Sequence, residues 1–273
     1  MKKKIPVIMI IATLIMAFAM GGCKKDEPVI LPAEKTTTNL GVKDVLGVSG
    51  TVTFIETSST SATIEISLSG APSGVHPAEL CMNSAIEGGT AVVILNPVDA
   101  TGKSSTTITS KTYRELIAYD GFVQVRKSIL EPTVILAIGD IGGNVMTSTN
   151  KSYSLSAKDA SGVTGTALFE KRKNGNTLVT ISLVGVISGS YPATINIGSI
   201  ETVGDPIATK TLTTVIVPVN STIGKSYTNI KTLNNTNFTI TYDKWMEYVG
   251  YINIYQNSVA YDNIICHGNI GKS

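Results

Sequence analysis

The sequence has few charged residues and few aromatic residues, and this scarcity excludes several classes of protein. Charged residues make up 15% of the chain and aromatic residues 6%, whereas globular proteins average about 25% charged residues. Hydrophobic residues nevertheless reach 42%, which excludes a disordered polyelectrolyte because such a chain cannot form a core. The composition also argues against a long helical bundle, which would be rich in Glu, Lys, Ala and Leu.

Basic clusters and catalytic motifs are equally scarce. The formal net charge is +2 and no basic block follows the N-terminus, so we expect no nucleic-acid partner. The chain has only two histidines. It has no Gly-x-Ser-x-Gly nucleophile turn, no phosphate-binding loop and no cofactor fingerprint. We therefore predict that the protein is not an enzyme and uses no cofactor.

The N-terminal segment has the pattern of an export signal. Three lysines, Lys2 to Lys4, precede an apolar stretch from Ile5 to Ala19, and small residues lead to Cys23. A basic start, a short apolar stretch and small residues before a cleavage site are typical of a signal peptide. The apolar stretch is shorter than the roughly 20 residues of a membrane-spanning helix. We predict that residues 1–22 are a lipoprotein signal peptide; an uncleaved anchor helix is the alternative.

Cys23 resembles the lipidated cysteine of a bacterial lipoprotein, with Gly22 before it and polar residues after it. Lysine followed by acidic residues also resembles a surface-export tag of some Gram-negative lineages. We predict that residues 23–46 are a lipid-anchored tether and that the protein lies on the outer membrane, exposed at the cell surface. The membrane would be a partner through this lipid, since each buried methylene contributes about 0.8 kcal/mol. Loss of residues 1–22 removes three lysines and leaves a net charge of −1.

The rest of the chain contains one unit twice, at an offset of about 115 residues or slightly more. Ile64 to Gly70 matches Val179 to Gly185, and Tyr113 to Val125 matches Tyr242 to Ile254. Because the order of such matches is kept, we infer a tandem duplication. The predicted divisions are residues 47–146 for the first repeat, 147–160 for a polar linker and 161–273 for the second repeat.

Most of each repeat alternates apolar and polar residues with a period of two. Ile64, Ile66 and Leu68 share one face of a predicted strand, whereas Glu65 and Ser67 share the other. Several short strands separated by Gly, Pro, Asn and Ser indicate an antiparallel sandwich or barrel. We expect one short helix in each repeat, over residues 113–118 and 242–248, just before a strand that begins with glycine.

The repeats resemble the CHRD (chordin) domain of extracellular animal proteins and bacterial surface proteins. The resemblance rests on motifs that occur in the same order in both copies: a Gly-Thr start, a Ser/Gly-x-x-Pro-Ala segment, a Gly-Lys-Ser turn, the strand Tyr119 to Val125 and a Gly-Asp-Ile-Gly end. It implies an immunoglobulin-like or superoxide-dismutase-like β-sandwich. We therefore predict an all-β protein of two tandem immunoglobulin-like antiparallel β-sandwich domains after the signal peptide.

The resemblance also implies a histidine cluster, which this chain lacks. Many CHRD domains carry His-x-His after Pro-Ala and another histidine on a later strand, where alternate residues can offer two imidazoles to a metal. The corresponding positions hold Glu79, Cys81 and Arg126 in the first repeat and Thr194, Asn196 and Tyr255 in the second.

We therefore predict no metal site. His76, Glu79 and Cys81 remain a weak candidate set of ligands for a soft or borderline metal ion. The alternative is that Cys81 is a small buried residue and His76 lies in a loop. After lipidation of Cys23 only Cys81 and Cys266 remain, and because they occupy different places in the two repeats, we expect two buried free thiols.

Aromatic residues of the second repeat form a candidate binding platform. Tyr251, Asn253 and Tyr255 share one face of a predicted strand, and Trp245 precedes it. If that face is open, it suits a sugar or a peptide; the alternative is a buried face. The leading hypothesis is a non-enzymatic, lipid-anchored cell-surface protein that binds an extracellular protein or glycan or has a structural role. The other hypotheses are a glycan-binding accessory lipoprotein and an envelope hydrolase or metal enzyme with an unrecognised site.

Overall fold

Alternating apolar residues form sixteen β-strands in the described part of the chain. A computed structural model describes residues 33–201, 208–234, 236–258 and 263–272. The predicted signal peptide, Cys23 and residues 24–32 of the tether lie outside this part. The strands of the first half are β1 (Lys35–Val42), β2 (Ser49–Ser58), β3 (Ser61–Ser69), β4 (His76–Met82), β5 (Ala91–Val98), β6 (Lys103–Ile108), β7 (Gly121–Arg126) and β8 (Ile135–Ile141). Those of the second half are β9 (Met146–Ala157), β10 (Thr164–Arg172), β11 (Thr177–Val184), β12 (Gly189–Ile197), β13 (Ala208–Val217), β14 (Ile223–Ile230), β15 (Val249–Tyr255) and β16 (Ile264–Gly271).

Each half contains eight strands, and equivalent strands follow one another in the same order along the chain. The duplication therefore extends further than the sequence analysis predicted. β1 lies within the predicted tether, residues 23–46, and pairs with β2 and β8. β9 covers most of the predicted linker, residues 147–160, and pairs with β10 and β16. We therefore define repeat 1 as residues 33–145 and repeat 2 as residues 146–272.

Strand order corrects the prediction of two β-sandwiches. In repeat 1 the eight strands form one antiparallel sheet with the order β5-β4-β7-β8-β1-β2-β3-β6. Repeat 2 has the equivalent order, but there β13 and β14 also meet at Ile216 and Lys225, which closes a barrel. Period-two alternation did not distinguish these architectures because strands have one buried and one outer face in both a sandwich and a barrel.

Each repeat has its own hydrophobic core. The core of repeat 1 is built on inward-facing residues such as Phe54, Ile64 and Leu80. The core of repeat 2 includes Phe169, Ile181 and Trp245. Among the described residues the two clusters have no member in common. Burial of apolar side chains is the dominant favourable term in folding. Each repeat therefore has a core of its own with which to fold separately.

Two short helices lie where the sequence predicted them, α1 (Tyr113–Ala118) and α2 (Tyr242–Glu247). In α1, Thr112 and Glu115 cap the first turn reciprocally, the pattern of a capping box. Gly142, which follows β8, and Gly271, which ends β16, have positive φ, and a Cβ there would collide with a carbonyl oxygen just after each helix. In the described part of the chain, none of the helices is long and apolar enough to cross a membrane.

Candidate functional site

The outer face of β4 and β7 in repeat 1 carries a hydrogen-bonded polar cluster. Glu79 and Gln124 lie directly opposite each other in the ladder. One oxygen of Glu79 accepts hydrogen bonds from Gln124 at 2.9 Å and from Arg126 Nη2 and Nε at 3.0 and 3.2 Å. Burial raises the pKa of Glu79, but the hydrogen bonds from Arg126 and Gln124 outweigh it, so the pKa lies below its usual value. Glu79 is therefore an ionised partner of Arg126.

The three weak metal candidates of the sequence analysis do not form a ligand set. His76 is buried, and its ring nitrogens contact the carbonyl oxygens of Lys127 at 2.6 Å and Pro72 at 2.9 Å. Cys81 lies beside Glu79, with 3.9 Å between Sγ and Oε2. No three His, Cys, Asp or Glu side chains of the described residues come close enough to hold a metal ion.

Both described cysteines are buried free thiols, as expected. Burial and the nearby charge of Glu79 raise the pKa of Cys81 to about 11. Burial raises the pKa of Cys266 to about 12. Because the thiolate is the nucleophile and the metal ligand, neither thiol is activated for chemistry near neutral pH.

In repeat 2 the equivalent face of β12 and β15 is neutral and buried. Tyr251, Asn253 and Tyr255 are at most 5% exposed. The Thr194 hydroxyl lies 3.0 Å from Asn196 Oδ1 and 3.1 Å from the Tyr255 hydroxyl. This face therefore presents hydroxyl and amide groups to one another rather than an open platform to solvent.

The fourth predicted platform residue, Trp245, lies elsewhere. It is a fully buried member of the repeat 2 core, packed edge-on against Phe169 and Tyr248 with ring centroids 6.2 and 5.0 Å away. Asn253 is also fully buried, and neither of its amide atoms has a hydrogen-bond partner in the described structure. The structure thus separates Trp245 from the outer-face residues with which the sequence analysis grouped it.

The sequence analysis missed a buried ion pair that joins the two repeats. Arg172 at the end of β10 is fully buried, and its Nη1 donates to Asp140 Oδ2 of repeat 1 at 2.7 Å and to the carbonyl oxygen of Asn144. The other oxygen of Asp140 accepts the backbone N–H of Ala85 at 2.7 Å. Among the described residues, Nε and Nη2 of Arg172 have no hydrogen-bond partner. Asp140 therefore supplies the only countercharge in direct contact with this buried cation within the described structure.

Further polar contacts surround this pair. Asn174 of repeat 2 donates to Asp120 at 3.0 Å and to Asn144 Oδ1 at 3.2 Å. Glu87 of repeat 1 accepts a hydrogen bond from Asn229 at 3.0 Å and lies 3.7 Å from the ammonium group of Lys231. Carboxylates of repeat 1 thus face cationic and amide groups of repeat 2. The described residues from Glu34 onwards form one compact unit.

The second feature that sequence reasoning missed is an exposed apolar surface at the opposite end of repeat 1. Val75, Ile94, Ile129 and Leu130, which we call the apolar tip, line a groove of about 470 Å3 together with Pro77 and Pro97. The tip side chains are 61% to 89% exposed. Such concentrated apolar exposure is typical of an interaction surface. The available sequence signal was the adjacent pair Ile129 and Leu130, which lies between β7 and β8.

The loops that carry the tip are held by specific contacts. His76 links the β3–β4 loop to Lys127 at the start of the β7–β8 loop. Within the β7–β8 loop, Lys127 Nζ pairs with Glu131 at 2.8 Å. Arg126 Nη1 donates to the carbonyl oxygen of Pro132. The apolar side chains therefore project from a hydrogen-bonded framework.

Comparisons with known proteins add no relative, since no family model and no curated protein matches the chain.

Proposed function

We propose that the chain is a non-enzymatic, lipid-anchored protein of the cell envelope that acts through binding by its two β-domains. The observation that carries the proposal is the apolar tip, whose four exposed aliphatic side chains line a groove that holds a single carboxylate, Glu79. That carboxylate is already paired with Arg126. A surface of this kind suits apolar association, which needs no reactive group.

The polar clusters support binding over catalysis for the same reason. Glu79 is engaged by Arg126 and Gln124, and both described thiols have raised pKa values. A general acid or base acts best with a pKa near the working pH, whereas the pKa of Glu79 moves further from neutrality. The proposal keeps the CHRD resemblance as its expectation for the repeats, with a place on the outer membrane at the cell surface.

The glycan-binding alternative has less support because stacking on a sugar needs an exposed ring face. Tyr251 and Tyr255 are buried, and Trp245 belongs to the core of repeat 2. The hydrolase or metal-enzyme alternative would need paired acids in a cleft or a set of metal ligands. The first repeat's Glu79, Cys81 and His76 do not provide such a set.

Replacement of Cys23 tests the proposed anchor. Cys23→Ser removes the sulfur that would carry the lipid, so we expect the variant to leave the membrane fraction or to accumulate unprocessed. Detergent phase partitioning and mass spectrometry of the N-terminal peptide measure this. Cys266→Ser is the matched control, because this buried thiol lies in the repeat 2 core, and it should partition like the wild type. A Cys23→Ser protein that still partitions with detergent contradicts the proposal.

A further inference from the structure

The end of repeat 1 that carries the apolar tip exposes a further aliphatic side chain outside the groove. The β1–β2, β3–β4 and β7–β8 connections lie at the same end because these strands are antiparallel neighbours or follow one another through the sheet. The β1–β2 loop adds Leu46, which is 90% exposed. Asp44 of this loop accepts the backbone N–H of Ile135 at 2.7 Å, which ties it to the start of β8 beside the β7–β8 loop. Leu46, Val75, Ile129 and Leu130 are thus presented by three connected loops, and Ile94 of the apolar tip lies beside them in β5.

The charges of these loops compensate one another. Glu131 pairs with Lys127 at 2.8 Å, and Asp44 accepts the N–H of Ile135. Lys43 adds a positive charge, and the β3–β4 loop has no charged residue. A surface of protruding aliphatic side chains without excess negative charge meets no electrostatic barrier at an anionic membrane surface.

The length of the tether brings the bilayer within reach of this surface. The eleven residues from Lys24 to Glu34 span at most about 40 Å when extended. β1 begins at the opposite end of repeat 1 from the apolar tip, and its eight residues cover about 27 Å. Fully extended, residues 24–34 are therefore longer than β1. A tethered surface also meets its target at a high effective concentration.

We propose that the apolar tip, together with Leu46, inserts into the lipid bilayer that carries the N-terminal anchor. This rests on the proposed lipid on Cys23. The tip acts as a second membrane contact that fixes repeat 1 on the bilayer. Because repeat 2 packs on the other end of repeat 1 through Asp140 and Arg172, it then faces away from the membrane and presents its surface to the surroundings.

Tryptophan quenching in vesicles tests this contact. The lipidated full chain is reconstituted into phosphatidylcholine vesicles, with or without bromine on the acyl chains, as wild type and as Leu130→Trp. We expect the added tryptophan to emit at shorter wavelength and to lose most of its fluorescence in brominated lipid. Trp245 is fully buried, so the wild type supplies the background. The control is Val219→Trp in the β13–β14 loop of repeat 2, which is 78% exposed and should be unquenched.

The outcomes separate the two proposals. A chain that carries no lipid and does not float with the vesicles overturns both. A chain that floats while Leu130→Trp stays unquenched and open to acrylamide overturns the bilayer contact alone. A tryptophan shielded from acrylamide but unaffected by bromine indicates a protein partner at the tip and also overturns the bilayer contact. Unchanged circular dichroism of both variants shows that their folds are intact.

Discussion

At the scale of single residues, Arg172 is the side chain whose surroundings matter most for the assembly of the two repeats. A buried charge is tolerated only when it is paired and hydrogen-bonded. Arg172 contacts one carboxylate, Asp140, and one carbonyl oxygen, and two of its nitrogens have no partner in the described structure. Compensation of the buried positive charge of Arg172 therefore depends on Asp140. Removal of that carboxylate leaves an uncompensated cation between the repeats.

We predict that Asp140→Ala lowers the free energy of unfolding by about 3–5 kcal/mol, the range found when a buried pair loses one partner. The double variant Asp140→Ala/Arg172→Met should recover much of this loss, because the buried charge is removed as well. Chemical denaturation of the full chain measures both. Glu247→Ala, which breaks the exposed pair with Lys244, is the control and should cost less than about 1 kcal/mol. Equal stability of the single and double variants would mean that the buried charge is not the cause.

At the scale of elements, repeat 1 differs from repeat 2 in how its two edge strands, β5 and β6, are joined. We call the line along which these two strands meet the seam. In repeat 2 the equivalent strands meet in the backbone ladder at Ile216 and Lys225. In repeat 1 the strands are joined by side chains: the N–H of Asn96 donates to the Thr106 hydroxyl at 2.8 Å, and the Ser104 hydroxyl donates to the Asn96 carbonyl at 2.6 Å. The two hydroxyl side chains thus substitute for a ladder.

We predict that Thr106→Val opens this seam. Thr106 is nearly buried, and loss of its hydroxyl removes the hydrogen bond to the N–H of Asn96, an exposed residue, which costs about 0.5–1.5 kcal/mol. Hydrogen exchange of the Asn96 amide should accelerate while amides of the repeat 2 barrel are unchanged. Thr107→Val is the control, because the Thr107 hydroxyl contacts the Thr63 hydroxyl on the exposed face. Surface changes of this kind stay within about 0.5 kcal/mol. Unchanged exchange at Asn96 would contradict the role of the hydroxyl.

The elements also show which parts of the fold the sequence could predict. Strands such as β3 were predicted because apolar and polar residues alternate regularly. The two helices were predicted just before a strand that begins with glycine, and in the structure a capping threonine precedes each of them. β1 and β9 were predicted as tether and linker because Leu40 and Leu155 are their only buried residues. A strand with a single buried apolar residue shows no period-two alternation in the sequence. Its position in the sheet is decided by pairing with strands that are distant in the chain.

For the candidate site, the sequence predicted which residues share a strand face but not whether that face is exposed. Alternation placed Tyr251, Asn253 and Tyr255 on one face of β15, and the structure has them there. Whether that face is open depends on what packs over it, which no local pattern contains. Arg172 and Asp140 were missed for a related reason, since they lie 32 residues apart in different repeats and meet only through the packing of two folded domains.

At the scale of the whole molecule, the repeats combine separate cores with a polar junction. The hydrophobic clusters of the described residues have no member in common. The contacts between repeats include those of Arg172, Asn174 and Asn229 with acidic or amide partners. A polar junction becomes hydrated when the partner is absent. Arg172 is then exposed to water and needs no countercharge, so separation should not unfold either repeat.

We therefore predict that residues 33–145 and 146–273, expressed separately, each unfold cooperatively with β-rich circular dichroism. A matched chain of residues 160–273 lacks β9, which in the barrel pairs with β10 on one side and β16 on the other. Its loss leaves two strand edges unpaired and uncovers part of the core around Leu155, so this chain should not show a cooperative thermal transition. If residues 160–273 melt like residues 146–273, β9 is a linker as the sequence suggested. If residues 146–273 stay unfolded, the two repeats depend on each other for folding.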